Sequence, residues 1–277
     1  QMTTVDAPNV HNIAVEGTFD DCQDLVKAMF NDAAFRDEMN LAAVNSINWA
    51  RILAQITYYV YASLALGGPG QPVAFAVPTG NFGNVFAAYA ARCLGAPIAH
   101  LIVGSNRNDI LTRFFASGRM EMGEVFPTLS PSMDIQISSN FERLLFELYD
   151  RDGAVVAGLM DTFEAQRAFQ VDTRRWQRAT GVFSAFRIDD RETSETIRSV
   201  YAETGELLDP HSAIGVAAAR SIRTDTGIPV IAVATAHPAK FPDAVEAATG
   251  QRPALPPRLA ELMGKREHCV ALPADLA

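Results

Sequence analysis

The stretch Val73-Ala74-Phe75-Ala76-Val77-Pro78-Thr79-Gly80-Asn81-Phe82-Gly83-Asn84 decides the fold. Its first five residues are apolar without alternation, the pattern of a strand buried on both faces. Pro78 and Gly80 punctuate that run, and residues 82–94 read as a helix ended by Gly95. Parallel α/β sheets hold their ligands where a strand turns into a helix at its carboxyl end. A helix N-terminus there offers unpaired N–H donors and a positive dipole end to an anion. Gly80 and Gly83 let the backbone approach such an anion, while Asn81 and Asn84 add side-chain amides. The spacing is neither G-x-G-x-x-G nor a P-loop ending in Lys-Ser/Thr, so both nucleotide motifs are disfavoured. By itself it also leaves open a plain strand-to-helix turn with an asparagine cap.

Working outward, apolar runs predict further strands at residues 97–103, 134–137, 229–235 and 270–272. Helical periodicity covers residues 140–149. Asp20 or Asp21 is positioned to cap a helix running to Phe30. Asn45-Ser46 is positioned to cap a long one running to Leu66, with Trp49, Ile52, Leu53, Ile56 and Val60 on its core face. Between residues 151 and 206 strand signals fade. Asp209-Pro210-His211-Ser212 then opens an alanine-rich helix with Pro210 in its first turn. Residues 252–258 (RPALPPR) are irregular, before a final helix and strand. Alternating strands and helices predict an α/β fold: a three-layer, mostly parallel sheet with helices on both faces.

Composition bounds the function. The chain has 277 residues, 48% of them hydrophobic and 20% charged, which suits a sizeable core and not intrinsic disorder. A net charge of −9, with the acids scattered, repels phosphate backbones and argues against nucleic acid as a partner. Three separated cysteines, Cys22, Cys93 and Cys269, support neither a disulfide scaffold nor a zinc site and suit a reducing, cytoplasmic setting. His11, His100 and His268 lack metal-ligand spacing, so no metal is expected. The most apolar run, residues 52–66, is interrupted by Gln55, Thr57 and Ser63 and is too short for a bilayer.

Two more clusters carry polar chemistry. In Asn45-Ser46-Ile47-Asn48-Trp49-Ala50-Arg51, polar side chains sit at a helix start, and Arg51 is a bidentate donor for phosphate or carboxylate. Taken alone, this is also a capped helix with a surface arginine. In Thr235-Ala236-His237-Pro238-Ala239-Lys240, at the end of a strand, the Thr235 hydroxyl suits a ring nitrogen or its own loop, and His237 reads as structural.

Five motifs together carry a resemblance: Gly17-Thr18-Phe19-Asp20-Asp21-Cys22-Gln23, residues 45–51, residues 80–84, Ser130-Pro131-Ser132-Met133-Asp134-Ile135, and residues 235–241. In this order, over nearly the whole chain, they resemble threonine synthase, a fold-type II pyridoxal-phosphate enzyme family. Asp209-Pro210-His211-Ser212-Ala213 is a further similarity, shared more widely in fold-type II enzymes. The resemblance implies pyridoxal 5'-phosphate as cofactor, with its phosphate cradled by Gly80, Asn81, Phe82, Gly83 and Asn84 and its ring nitrogen hydrogen-bonded by Thr235. It implies that Asn45, Ser46, Arg51 and Asn81 hold the phosphate of the small-molecule substrate, O-phospho-L-homoserine. The products would be L-threonine and phosphate, formed by β,γ-replacement with phosphate elimination. The resemblance gives no role to Ser132 or Asp134 and no oligomeric state.

One feature departs from the pattern. The family's Schiff-base lysine lies in a Phe-Lys-Asp run upstream of the Gly-Thr-Phe-Asp-Asp motif. Here there are three lysines, Lys27, Lys240 and Lys265, and none matches it; surface or structural roles are expected for Lys27 and Lys240. The chain therefore reads as the C-terminal part of such an enzyme, with residues 1–16 leaving a missing smaller domain and residues 17–277 forming the large, cofactor-phosphate-binding domain. No catalytic residue is then expected within it, and no turnover from this portion alone. The competing readings are another fold-type II enzyme, of threonine dehydratase or cysteine synthase type, and a non-catalytic module that binds a phosphate ligand.

Overall fold

The computed structural model describes residues 2–17, 19–45, 48–66, 68, 70–222 and 227–275. They form two compact units, one of residues 1–43 with 254–277 and one of residues 44–253. In the smaller unit, strand β1 (Ile13–Glu16) is followed by helices α1 (Phe19–Asn31) and α2 (Ala33–Glu38). The α1 helix begins at Phe19, so Asp20 and Asp21 lie inside it and neither is its cap. Asp32 caps α2, accepting from the Phe35 N–H.

The larger unit opens with α3 (Trp49–Ala65), β2 (Val73–Pro78), α4 (Gly83–Cys93), β3 (Ile98–Ser105), α5 (Ile110–Ser117) and β4 (Arg119–Glu121). Next come α6 (Phe141–Leu148), α7 (Gly153–Gln166), β5 (Ala168–Gln170), α8 (Thr173–Thr180), β6 (Phe183–Arg187) and α9 (Asp190–Thr204). The unit closes with α10 (Pro210–Ser221), β7 (Val230–Ala232) and α11 (Pro242–Thr249). The last strand, β8 (Val270–Pro273), belongs to the smaller unit and pairs in parallel with β1, Ile13 opposite Val270.

The central sheet has the order β6-β3-β2-β7, and each neighbouring pair is parallel. Strand β2 shows why both faces are covered. Val73, Phe75 and Val77 point into a large core shared with α3, α4, α5 and α6. Ala74 and Ala76 point the other way, where they pack with Ala218 of α10. That small-residue face lets α10 come close: a Cβ on Gly215 would stand 3.0 Å from the Pro78 Cδ. The expected α/β architecture, a parallel sheet between helical layers, is thus the observed one.

Three local expectations are corrected. Residues 134–137 form no strand, because their side chains and not their backbone make the bonds, as described below. The cap of α3 is Asn48, which accepts from the Ala50 N–H, and not the Asn45-Ser46 pair. The buried face of α3 is Ile52, Ile56, Tyr59 and Ser63, whereas Trp49 and Leu53 are 46% and 55% exposed. Trp49 instead meets Phe86 edge to face at the helix start. The region from 151 to 206 also holds two strands, β5 and β6, that the sequence pattern did not announce.

A candidate phosphate-binding site at the sheet switch point

The chain runs outward from β2 through β3 to β6 and then returns to the opposite side of β2 as β7. The order therefore reverses between β2 and β7, the crevice where open parallel sheets take ligands. The segment after β2 and the segment after β7 both reach it. A cavity of about 500 Å³ there is lined by Gly80, Asn81, Phe82, Gly83 and Asn84 from the first and by Thr235 and Ala236 from the second. Asn45, Arg51, His211 and Lys240 line it as well.

The loop after β2 is built to keep its N–H groups unspent. The Thr79 N–H donates to Gly104 O at 2.8 Å, fixing the exit from the strand. The carbonyls beyond it are turned away and taken by one neighbouring segment: Gly80 O accepts from the Ser138 hydroxyl at 2.8 Å, and Asn81 O from the Asn140 N–H at 3.1 Å. Phe82 stands at the helix entrance with φ 65°, the left-handed region that a bulky residue seldom enters. Its ring, 1% exposed, is anchored in an aromatic cluster, 5.0 Å from Phe141 and 5.7 Å from Phe183. Burial of the ring holds the strained backbone in position, so Phe82 contributes its amide and not its side chain. No side chain caps α4. Among the described residues, no protein acceptor takes the N–H of Gly80, Asn81, Phe82, Gly83 or Asn84. The alternative of an asparagine-capped turn is therefore not what the chain forms.

The Ser130–Asp134 segment acquires a role that sequence reasoning could not assign. Asp134 Oδ1 accepts from Asn106 Nδ2 at 2.7 Å, from Asn108 Nδ2 at 2.9 Å and from the Thr128 hydroxyl at 2.6 Å, while Oδ2 accepts from the Thr128 N–H. Gln136 likewise spends its amide on Glu124 O and accepts from the Gly123 N–H. These side-chain bonds replace the ladder that a strand would make. They set Ser132 and Met133 against the loop: a Cβ on Gly80 would lie 3.1 Å from Ser132 O. Glycine at position 80 thus lets the two loops sit this close without displacement.

Charge completes the site. Arg51 and Lys240 line the cavity, and no aspartate or glutamate does so among the described residues. Arg51 Nη1 also donates to Val44 O at 3.1 Å, which ties the guanidinium to the start of its segment. Lys240, which the sequence suggested as surface or structural, stands on the cavity wall. His237 is structural, its Nδ1 accepting from the Ala239 N–H. Ser46 lies outside the described residues. Five unspent amides, two cations and the absence of a lining carboxylate fit a phosphate group. A larger cavity of about 620 Å³ beside Tyr89 and Phe183 lacks this chemistry. Its arginines are already committed, Arg178 to Leu148 O and Asp150 and Arg92 to Ile98 O.

The parallel sheet presents five unspent amides at its switch point, and comparison with known proteins gives the class. A model of pyridoxal-phosphate dependent enzymes matches residues 2–182, and the chain belongs to that family. Within the class the similarity is to threonine synthase, whose C-terminal model matches residues 212–277. The threonine synthase of Pseudomonas aeruginosa is 55% identical over 278 residues, covering 100% of this chain and 59% of that protein. The structure of pyridoxal-phosphate-bound threonine synthase from Brucella melitensis superposes with a TM-score of 0.92 at 52% identity, over 99% of this chain and 59% of that one. Yeast threonine synthase gives 0.87 at 42% identity, with 99% and 59% covered. The chain thus spans about three fifths of the length of these relatives.

Proposed function

We propose that this chain is the cofactor-phosphate-holding part of a threonine synthase, acting on an amino-acid phosphate and specifically on O-phospho-L-homoserine. The observation that carries the reading is the run of five amides without protein acceptors at the switch point, facing a cavity whose charged lining groups are cationic. In this reading the N–H groups of Gly80 to Asn84 hold the phosphate of pyridoxal 5'-phosphate, and Thr235 meets its ring nitrogen. Asn45, Ser46 and Arg51, with Asn81, hold the phosphate of the substrate.

When bound, the cofactor supplies an electron sink that eases removal of protons from the carbons of the amino acid. The protein's part is binding and orientation. The amide cup fixes the ring at one end, and a neutral threonine hydroxyl at the other leaves the ring nitrogen less charged than a carboxylate would. Arg51 approaches the leaving phosphate as a fixed cation, which stabilises the charge that develops there and needs no solvent reorganisation. Holding the substrate by its remote phosphate also sets the reacting carbons relative to the ring. A dehydratase or a cysteine synthase of the same fold handles substrates without that phosphate, and Arg51 on the cavity wall favours the phosphorylated substrate.

The test is an assay of the protein as its gene encodes it, with O-phospho-L-homoserine as substrate. Threonine and inorganic phosphate are expected in equal amounts; release of neither, with cofactor bound, contradicts the substrate. The 277-residue chain by itself is expected to hold the cofactor non-covalently and without turnover.

A further inference from the structure

At the Thr235 end of the cavity lies a buried network that an anion cup does not require. Asp209, with 0% exposure, caps α10 and collects four donors. Its Oδ1 accepts from the His211 N–H at 2.8 Å and from His211 Nδ1 at 2.9 Å. Its Oδ2 accepts from the Ser212 N–H at 3.3 Å and from the Ser212 hydroxyl. Burial pushes the carboxyl up, and the hydrogen bonds from His211 and Ser212 more than reverse this, holding it below its ordinary value. It is therefore a carboxylate, with no hydrogen to give. Two consequences follow from donor counting. The Ser212 hydroxyl, its hydrogen spent on Asp209, takes the Thr235 N–H at 3.1 Å on its lone pair. His211 must carry its hydrogen on Nδ1, and in the neutral ring Nε2 is then a bare lone pair.

That nitrogen has no partner among the described residues. His211 Nε2 is buried and meets no donor among the described residues, although the side chain is 6% exposed and lines the cavity. The ring cannot drift, with Phe241 packed at 4.7 Å. A buried, unpaired acceptor is costly, so its partner is to be sought in what the cavity takes. A single occupant that fills the amide cup and also meets Nε2 needs a phosphate at one end and an O–H donor at the other.

We propose that His211, as the neutral imidazole, is a binding residue of this cavity, its Nε2 accepting a hydrogen bond from an O–H group of a heteroaromatic phosphate ester held by the Gly80–Asn84 amides, with Asp209 as the positioning residue that sets the tautomer. This rests on the reading of the cavity given above and adds to it an acceptor opposite the phosphate. The same carboxylate, through Ser212, fixes the backbone of Thr235, so one buried charge organises both side chains at that end.

The test uses pyridoxine 5'-phosphate, which has the ring, hydroxyl and phosphate but no aldehyde and so forms no bond with a lysine. Inorganic phosphate is the second probe. In the ¹⁵N-histidine-labelled protein, His211 is expected to show a protonated Nδ1 and a bare Nε2. Saturation with pyridoxine 5'-phosphate should move the Nε2 resonance upfield, and inorganic phosphate should leave it in place. His211→Phe should weaken pyridoxine 5'-phosphate about tenfold, as loss of one hydrogen bond in a dry site does. His211→Gln, which restores a neutral acceptor, should recover part of that, and all three proteins should bind inorganic phosphate alike. An Nε2 unmoved at saturation, or His211→Phe binding as tightly as wild type, overturns the role of His211 and leaves the reading of the cavity standing. Binding of neither probe by the wild-type protein overturns both.

Discussion

The Tyr59 hydroxyl donates to the side-chain oxygen of Asn84 at 2.7 Å. That bond orients the Asn84 carboxamide by its oxygen and leaves the Nδ2 hydrogens to donate, which suits a residue on the cavity wall. Burial of Tyr59, 1% exposed, raises its pKa far above the ordinary tyrosine value, so it stays protonated and keeps donating. Tyr59→Phe should weaken pyridoxine 5'-phosphate binding about three- to tenfold, the value of one well-placed hydrogen bond, and change stability by less than about 1.5 kcal/mol. Titration by ring fluorescence checks this; unchanged affinity would mean that the orientation of Asn84 does not matter.

Gly80→Ala tests the steric argument. The added methyl would meet Ser132 O at 3.1 Å and the Met133 Cα at 3.2 Å, both backbone atoms that cannot rotate away. The loop must move by a few tenths of an ångström, which misaligns several amides at once. Affinity for pyridoxine 5'-phosphate should fall at least about tenfold, with about 1–3 kcal/mol lost in denaturant unfolding. Full affinity would mean that the cup tolerates displacement.

Asp134→Ala removes the acceptor on which the 126–134 loop is strung. The Thr128 N–H would lose its acceptor and Asn108, 4% exposed, would keep Phe126 O for one amide hydrogen and nothing for the other, while Asn106 would still reach Thr128 Oγ1 and Ser130 Oγ. Unpaired buried donors cost about 1–3 kcal/mol each, so a loss of about 3 kcal/mol is expected in urea unfolding, together with weaker phosphate binding. A loss under about 1 kcal/mol would show that the clamp is dispensable.

The sheet was readable because β2 announces itself. VAFAV is uninterrupted, and its position before a glycine-bearing turn fixed both the parallel architecture and the location of the cup. Backbone donors at a strand-to-helix junction are a property of local sequence, and so Gly80 to Asn84 could be singled out. What holds them there was not readable. Tyr59, Ser138, Asn140 and Asp134 act across 25 to 59 residues of sequence, and each looks locally like an ordinary helix or loop residue. Residues 134–137 misled because Ile135 and Ile137 suggested a strand, whereas Asp134 and Gln136 spend their side chains on the loop. Trp49 misled because α3 is turned so that Tyr59 and Ser63 complete its buried stripe. Asp209 and His211 were visible as a helix start, but the unpaired nitrogen appears only when the ring is packed.

The buried carboxylate gives a pH dependence. Asp209 has a folded pKa below its ordinary value, so its contribution to stability is complete above the unfolded pKa of about 3.9 and is lost as pH falls through the folded value. Below about pH 4, wild-type Tm should fall more steeply than that of Asp209→Asn, which starts lower but has no carboxyl to protonate. Parallel acid profiles would show that Asp209 is not held ionised.

The central claim is most directly tested by following the backbone N–H resonances of Gly80, Asn81, Phe82, Gly83 and Asn84 while pyridoxal 5'-phosphate is added. Saturable downfield shifts of these amides, reproduced by inorganic phosphate, are predicted. Saturable shifts confined to another surface, such as the cavity beside Arg92 and Arg178, with these five amides unmoved, would contradict it.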